Sequence, residues 1–192
     1  MNWITKFIKP KIESLFKKKT AESDQVLWTT CECKNLIYKE DLQKNFNCCP
    51  KCGAHHKLSC IERFKIFFDN KEYDLINTPL PKDDPINFVD TKKYTDRLKS
   101  ARKITQQDDS VLIATGKIEN IQVTVGAQDF RFIGGSFGAA SGEAFIHGVQ
   151  HAIDNKNPFI FFSCSGGQRM MESSIALMQM SRTVLAVNEL KK

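Results

Sequence analysis

The most constraining feature of this sequence is an uninterrupted apolar run that leads through two glycines into a helical pattern. Residues 159–163 read Phe-Ile-Phe-Phe-Ser, without polar alternation, which predicts a strand covered on both faces. Met171, Ile175 and Met178 then recur at helical spacing, which predicts a helix over residues 168–187. A buried strand, a glycine turn and a helix in this order are typical of α/β folds.

The turn between that strand and that helix contains Gly166 and Gly167. Because glycine lacks a Cβ atom, a ligand can approach this backbone closely, and both N–H groups are predicted to be free to face a developing negative charge, as in an oxyanion hole. A second glycine-rich break, with Gly134, Gly135 and Gly138, precedes another predicted helix. Taken alone, either break is also compatible with an ordinary tight turn.

The pattern before the apolar run completes an alternation of strands and helices. Residues 111–118 and 121–127 are strand-like and are joined by a short turn, which predicts an antiparallel hairpin. With a helix over residues 139–155, the C-terminal part of the chain is predicted to have the order β-β-α-β-α. Further upstream, the spacing predicts a helix over residues 60–68 and an extended segment over residues 77–90.

Positive charge is concentrated at one end of the chain. The formal net charge of +6 lies entirely within residues 1–65, and residues 1–24 form a basic arm and linker. Such an arm is compatible with a solvated segment or with contact to a membrane surface or a polyanion. No run reaches the roughly 18 apolar residues that cross a bilayer, and the N-terminus lacks the pattern of a secretory signal peptide. We therefore expect a cytoplasmic protein without a membrane span.

Most of the cysteines are clustered, which in a reducing compartment indicates metal ligation rather than disulfides. Cys49 and Cys52 form a C-x-x-C knuckle, and Cys31 and Cys33 form a second pair that is one residue shorter than usual. Two such pairs predict a zinc ribbon with a structural role, because four protein ligands leave no open coordination position. The short pair is expected to fit a tetrahedral site less well. Other thiol and imidazole groups lie nearby in the sequence, namely Cys48, Cys60, His55 and His56.

Seven short motifs occur in the order expected of one family. They are WTTC at 28–31, LIY at 36–38, CPKC at 49–52, YTDRL at 94–98, GGSFG at 134–138, SCSGGQRM at 163–170 and LMQM at 177–180. In this respect the chain resembles the β subunit of bacterial acetyl-coenzyme A carboxylase carboxyltransferase. The resemblance implies an α/β fold of the crotonase-like type, a ββα superhelix, preceded by a small zinc-ribbon domain. The implied domains are the zinc ribbon at 25–60 and the N-terminal part of the carboxyltransferase domain at 61–192.

The resemblance also implies an activity. A carboxyl group would pass from carboxybiotin on a carrier protein to acetyl-coenzyme A, giving malonyl-coenzyme A for fatty acid synthesis. The implied partners are a carboxyltransferase α subunit in an α2β2 hetero-tetramer, a biotin carboxyl carrier protein and a biotin carboxylase. Gly166 and Gly167 would be the oxyanion donors, and Gly134, Gly135 and Gly138 would border the coenzyme A or biotin site.

Arg169 is expected beside that site, where it would hold the turn, contact a partner or substrate, or pair with a local carboxylate. Cys164 is expected to be a packing residue. The family is longer at its C-terminus, so we expect a fragment or a truncated copy. Two alternatives stay open at this point, a zinc-ribbon nucleic-acid-binding module and an inactive truncated gene product.

Overall fold

The structure is a computed structural model that describes residues 27–192. The predicted basic arm, residues 1–24, lies outside the described residues. The chain divides into two compact units between His56 and Lys57, and each unit is described by itself. Among the described residues, no helix combines the length and the apolar character that crossing a membrane requires.

The first unit is small and has little apolar material. Strands β1 (Trp28–Thr30) and β2 (Leu36–Tyr38) pair in antiparallel fashion, and helix α1 (Lys39–Lys44) follows directly. A unit of this size cannot bury enough apolar surface to be stable without a further constraint. Its buried core consists of Cys31, Ile37, Leu42 and Cys49.

The second unit is built on a four-stranded sheet. In spatial order its strands are β3 (Tyr73–Ile76), β4 (Val111–Ile118), β5 (Ile121–Gln128) and β6 (Phe159–Phe162). Strand β4 pairs with β3 and with β5 in antiparallel fashion, whereas β6 is parallel to β5. The predicted hairpin is therefore confirmed as β4 and β5.

The hairpin turn has the backbone conformation that a two-residue loop favours. Glu119 and Asn120 have φ angles of 48° and 66°, so both central residues are left-handed. Such a turn matches the right-handed twist of the two strands that it joins. Ile118 and Ile121 face each other at its base, and the pairing continues to Val111 and Gln128.

Helix α2 (Cys60–Phe67) covers one face of the sheet. Its start is stabilised by a capping box, in which the Ser59 hydroxyl accepts the Glu62 N–H while the Glu62 carboxylate accepts the Ser59 N–H. Phe64 is fully buried and lies in the same cluster as Ala114 of β4 and Val125 of β5. The predicted helix is confirmed, with its end one residue earlier.

Helix α3 (Tyr94–Thr105) is an element that the sequence analysis did not predict. Its buried residues recur at helical spacing, but charged residues outnumber apolar ones along the segment and obscure the pattern. Arg102 on its exposed side makes a bidentate ion pair with Asp83, with N–O distances of 2.6 and 2.8 Å. The helix ends at Thr105, and the next residue, Gln106, caps it in a left-handed conformation.

Helices α4 (Ala139–Asp154) and α5 (Ser174–Leu190) complete the predicted β-β-α-β-α order. Ala144 of α4 packs in one cluster with Ile113 of β4, on the face opposite to that of α2, since adjacent strand residues point to opposite faces. Strand β5 is therefore covered on both sides, whereas the residues of β6, which the apolar run predicted to be covered on both faces, are only half-buried. Helix α5 begins later than predicted, because residues 170–172 form a 3-10 turn.

Part of the apolar surface near the end of the described chain is not covered. Strand β6 is an edge strand, and the exposed fractions of Met178 and Leu185 on α5 are 61% and 68%. Met171 differs from Met178, because its side chain is 6% exposed and packs in a cluster with Tyr94 and Phe132.

Ser173 generates a prediction about stability. Its φ of 51° and ψ of −130° are unfavourable for a residue with a Cβ atom, and its side chain makes no cap hydrogen bond to α5. We expect Ser173→Gly to increase the free energy of unfolding by about 1 kcal/mol and to raise Tm by about 3 °C. Differential scanning calorimetry measures both quantities.

Ser174 is the matched control, since it is exposed, adjacent and helical. Ser174→Gly should lower stability by about 0.5 kcal/mol, because glycine is a poor helix former. If both variants destabilise the protein equally, strain at Ser173 is not the reason for the irregular start of α5.

Candidate functional site

The four predicted zinc ligands lie together in the first unit. The thiol sulfurs of Cys31, Cys33, Cys49 and Cys52 are all within 4.8 Å of one another. The Sγ atoms of Cys31 and Cys52 are 3.6 Å apart, and those of Cys33 and Cys49 are 3.8 Å apart. A tetrahedral site with Zn–S bonds of about 2.3 Å requires sulfurs roughly 3.8 Å apart, so this donor set fits zinc.

The short spacing between Cys31 and Cys33 does not prevent this arrangement. The two cysteines lie in a tight turn, in which the Lys34 N–H donates to the Cys31 carbonyl at 2.9 Å and Lys34 has a φ of 64°. The expectation that the short pair fits poorly is wrong, because the turn brings both thiols toward the knuckle of Cys49 and Cys52.

Hydrogen bonds to sulfur favour the thiolate form that binds metal. The side-chain amide of Asn35 donates to the Cys33 sulfur at 3.2 Å, and the Lys51 N–H donates to the Cys49 sulfur at 3.4 Å. The Asn35 side chain, together with its backbone N–H, lowers the pKa of Cys33 to about 6. Gly53 closes the knuckle with a φ of 73°, a conformation in which glycine is favoured.

The other thiols and imidazoles have different roles. Cys48 lies 3.0 Å from His55 Nδ1 and is not in the four-thiol group, nor is His56. Cys60 belongs to the second unit, where its thiol donates to the Ala127 carbonyl at 3.1 Å. Burial, followed by the negative charge of Asp129, raises the pKa of Cys60 to about 12, which keeps it a neutral thiol rather than a metal ligand.

In the second unit, the two glycine-rich breaks lie side by side. The first contains three consecutive left-handed residues, Ile133, Gly134 and Gly135, with φ angles of 47°, 66° and 62°. This conformation is strained for a β-branched residue such as Ile133. A Cβ atom on Gly135 would lie 2.1 Å from the Cys164 carbonyl oxygen, so only glycine permits the close approach of the two breaks.

Backbone hydrogen bonds connect the breaks directly. The Gly166 N–H donates to the Gly134 carbonyl, and the Phe137 N–H donates to the Gly167 carbonyl, both at 2.9 Å. Gln128, at the end of β5, bonds to both breaks through its side-chain amide, which donates to the Gly135 carbonyl at 2.6 Å. The amide oxygen of Gln128 accepts the Cys164 N–H at 3.3 Å.

These bonds correct the expectation of two free N–H groups. The Gly166 N–H is already used by the Gly134 carbonyl, so it is not free to bind an oxyanion in this structure. The Gly167 N–H donates to the Ser165 hydroxyl at 3.0 Å. A hydroxyl on a rotatable side chain is easily displaced, so of the two N–H groups that of Gly167 is the more available.

Arg169 is buried behind the two breaks instead of facing solvent. It is 1% exposed, and its guanidinium makes a bidentate ion pair with Asp109 at 2.5 and 2.8 Å. Burial by itself lowers the pKa of Arg169, but the hydrogen bonds and charge of Asp109 outweigh it and raise the pKa above the usual value. Of the three predicted roles, the structure is compatible with holding the turn and with pairing to carboxylates.

Glu172 and Tyr94 extend this buried group. One Glu172 oxygen accepts the Tyr94 hydroxyl at 2.6 Å, and burial raises the pKa of Tyr94, which keeps that hydroxyl protonated. The other oxygen accepts the Ala139 N–H at 2.6 Å and thereby caps α4, which lacks a cap of its own. A Cβ atom on Gly138 would lie 2.7 Å from this carboxylate, which explains the glycine there.

Sequence reasoning missed Asp109, Glu172 and Tyr94 as parts of the site. Asp109 is 60 positions from Arg169, and Tyr94 is 78 positions from Glu172, so no local spacing indicates either pairing. The only local signal was the three-residue separation of Arg169 and Glu172, which places two charges on one side of a helical turn.

Comparisons with known proteins agree with both parts of the site. The acetyl-CoA carboxylase zinc finger domain family matches residues 28–52, and the carboxyl transferase domain family matches residues 84–192. The second match covers more than half of the chain. It favours the carboxyltransferase prediction over the nucleic-acid-binding alternative.

Curated relatives point to the same family. The acetyl-coenzyme A carboxylase carboxyl transferase subunit beta of Pelagibacter ubique is 48% identical over 196 residues, and that of Gluconacetobacter diazotrophicus is 43% identical over 192 residues. Both alignments cover 100% of this chain and 63% of the relative. The chain thus spans less than two thirds of the length of these relatives.

Solved structures confirm the crotonase-like carboxyltransferase fold. A transcarboxylase 12S crystal structure with methylmalonyl-coenzyme A and methylmalonic acid bound matches with a TM-score of 0.51 and 25% identity. The match covers 68% of this chain and 23% of the transcarboxylase chain. A second transcarboxylase 12S structure, with hydrolysed methylmalonyl-coenzyme A, has a TM-score of 0.53 at 23% identity over 80% of this chain and 25% of that one.

The thiol cluster generates a prediction about metal content. We expect about one zinc per chain, and Cys52→Ser should abolish stable binding, because three thiolates and a hydroxyl hold zinc weakly. Cys48→Ser is the matched control and should keep the metal, since Cys48 lies outside the four-thiol group. Plasma mass spectrometry after dialysis measures zinc per chain, and equal loss in both variants would contradict this ligand set.

The close approach of the breaks generates a prediction about two neighbouring glycines. Gly134 and Gly135 share a positive φ, but a Cβ atom on Gly134 would meet nothing within 4 Å. We expect Gly134→Ala to lower the free energy of unfolding by about 1 kcal/mol through backbone strain alone. Gly135→Ala should cost about 2 kcal/mol more, because the Cys164 backbone must move. Urea unfolding measures both, and equal costs would show that the contact is not tight.

Proposed function

This chain belongs to the carboxyl transferase family, and from that premise we propose that it acts as the β subunit of an acetyl-coenzyme A carboxylase carboxyltransferase. It would transfer a carboxyl group from carboxybiotin on a carrier protein to acetyl-coenzyme A and form malonyl-coenzyme A for fatty acid synthesis. The observation that supports this most strongly is the pair of glycine-rich breaks, or glycine turns, which follow β5 and β6 and are hydrogen-bonded to each other. The 48% identity to a subunit beta over the whole chain agrees with it.

The glycine turns suit the charge that this reaction develops. The acetyl methyl group must lose a proton, which places negative charge on the thioester oxygen as an enolate. Backbone N–H groups that point at such an oxygen lower the barrier, and removal of one donor typically costs about 3 to 4 kcal/mol. We assign this role to the Gly167 N–H, which becomes available when the Ser165 hydroxyl rotates away.

The remaining chemistry would come from the bound partners. Carboxybiotin would supply the carboxyl group and, once that group has left, a ring nitrogen that takes the methyl proton. The residues of this chain would therefore bind and orient the thioester and stabilise its charge. Gly134, Gly135 and Gly138 would form the wall of the coenzyme A or biotin site. Of the three, Gly134 leaves room for a ligand, because a Cβ atom there would meet nothing within 4 Å.

The proposal includes several partners and a location. A carboxyltransferase α subunit would supply the carboxybiotin side of the site in an α2β2 hetero-tetramer. A biotin carboxyl carrier protein and a biotin carboxylase would deliver carboxybiotin, and the assembly would work in the cytoplasm. Zinc in the first unit would be structural, because the four thiols leave no open coordination position.

Reconstitution tests this proposal. The chain is mixed with a bacterial α subunit, carboxybiotin and acetyl-coenzyme A, and malonyl-coenzyme A is measured by mass spectrometry. A second arm uses the chain fused to the C-terminal part of the Pelagibacter ubique relative, since that relative is longer. Malonyl-coenzyme A in either arm, dependent on the α subunit, is the expected result. Its absence from both arms would overturn the proposal.

The two glycines of the second turn generate a prediction about turnover. Gly167 has a φ of 128°, so alanine there forces the backbone to move, whereas a Cβ atom on Gly166 would lie 3.4 Å from the Gly134 carbonyl oxygen and fits. We expect Gly167→Ala to lower kcat by about 100-fold or more. Gly166→Ala should keep kcat within about threefold, because its N–H already serves the turn.

Steady-state kinetics in the active arm measures both variants. Circular dichroism and zinc content should match the unmodified chain, so that a misfolded variant is recognised. If Gly166→Ala lowers kcat as strongly as Gly167→Ala, the assignment of the oxyanion donor to Gly167 is wrong.

A further inference from the structure

Arg169 has more hydrogen bonds to the glycine turns than an ion pair requires. Besides the bidentate pair with Asp109, its guanidinium donates to the Ser136 carbonyl at 2.7 Å and to the Ser136 hydroxyl at 3.1 Å. It also donates to the Tyr94 hydroxyl at 3.2 Å and lies 3.4 Å from Glu172. All three of its nitrogens thus have acceptors inside the protein.

The positions of these partners connect the two turns. Ser136 directly follows Gly135 in the first turn, and Arg169 lies two residues after Gly167 at the end of the second. The backbone of Arg169 is bonded to the first turn as well, because its N–H donates to the Phe137 carbonyl at 2.9 Å. The backbone of Arg169 therefore belongs to the second turn, while its guanidinium binds the first.

We propose that Arg169, Asp109 and Ser136 form a clamp that holds the two glycine turns at a set separation and so positions the Gly167 N–H for catalysis. This inference rests on the proposed function, which makes the Gly167 N–H the oxyanion donor. Arg169 is a positioning residue in this scheme, since its buried guanidinium acts through the turns and does not touch substrate.

Energetics support a positioning role over a purely stabilising one. Burying two charges costs several kcal/mol per ion, and well-packed apolar residues of similar size are often at least as stable as a buried ion pair. The bonds to Ser136 are directional and act on the backbone of the first turn. Arginine offers planar, bidentate donors, and lysine does not. Arg169→Lys should therefore loosen the clamp while it keeps the positive charge.

The chain contains a matched control for this change. Arg102 and Asp83 also form a bidentate ion pair, with N–O distances of 2.6 and 2.8 Å, but it lies on the exposed side of α3. Arg102→Lys makes the same chemical change as Arg169→Lys. The Arg102 guanidinium also donates to the Asp108 carbonyl at 3.0 Å, and it makes no hydrogen bond to either glycine turn. A general effect of replacing a paired arginine would appear in both variants.

Glycine-selective 15N labelling gives a direct measurement on the full chain. The sequence has ten glycines, so the spectrum is simple, and those at 134, 135, 166 and 167 take part in the contacts between the two turns. In Arg169→Lys we expect these four resonances to shift or broaden, with amide exchange of Gly166 faster by about tenfold or more. Gly53, Gly116, Gly126 and Gly148 should keep their positions, and Arg102→Lys should leave all ten unchanged.

Each outcome decides the proposal. Unchanged turn resonances in Arg169→Lys would overturn it. If that variant loses its folded spectrum, Ser136→Ala decides instead, because it removes one acceptor of the clamp and leaves the ion pair in place. Shifts confined to the turn glycines in Ser136→Ala support the clamp, and no shift there overturns it.

Kinetics provides a second readout that a merely structural role would not give. In the reconstituted enzyme, Arg169→Lys should lower kcat at least about tenfold and leave KM for acetyl-coenzyme A within about twofold, because only the transition-state contact is displaced. A rise in KM alone would overturn the positioning role. The spectra require neither substrate nor partner, so failure of the proposed function in reconstitution is distinguishable from failure of the clamp.

Discussion

The second unit depends on one buried ion pair, that of Arg169 with Asp109. A guanidinium and a carboxylate in the protein interior are tolerated only when their remaining donors and acceptors are matched, because unpaired buried charges cost several kcal/mol. Here the matching groups come from three segments, through Tyr94, Ser136 and Glu172. The ion pair and hydrogen bonds of Arg169 therefore hold four segments in place relative to one another: α3, the segment before β4, the first glycine turn and the segment before α5.

The glycine turns can be close together because their chemistry is almost entirely backbone. Each turn provides carbonyls that accept N–H groups of the other, and side chains would obstruct this contact, as the position of Cys164 beside Gly135 shows. The same contact explains why the Gly166 N–H is occupied. Because the Gly166 N–H holds the second turn against the first, the Gly167 N–H is the one that the second turn can offer to a ligand. Positioning of the turns and stabilisation of the oxyanion therefore use different glycines.

The first unit is too small to be stabilised by an apolar core alone. Its core has few large apolar side chains, and two of its four buried core residues are cysteines. Four converging thiols can replace a hydrophobic core, because metal binding adds free energy that the small unit cannot obtain from burial. The turn at Cys31 and Cys33 shows that ligand convergence depends on local backbone geometry more than on the number of intervening residues.

The sequence alone determined the features that depend on local patterns. The β4–β5 hairpin, strand β6, helices α2 and α4, and the two cysteine pairs all follow from periodicity, turn residues or short spacing. Tertiary structure decided which groups meet across the chain, as Asp109 and Arg169 do from 60 positions apart. It also decided that α3 is a helix, that Met171 is buried and that Gly166 is bonded. The physical reason is that burial and hydrogen-bond partners belong to three-dimensional neighbours, which a single sequence does not specify.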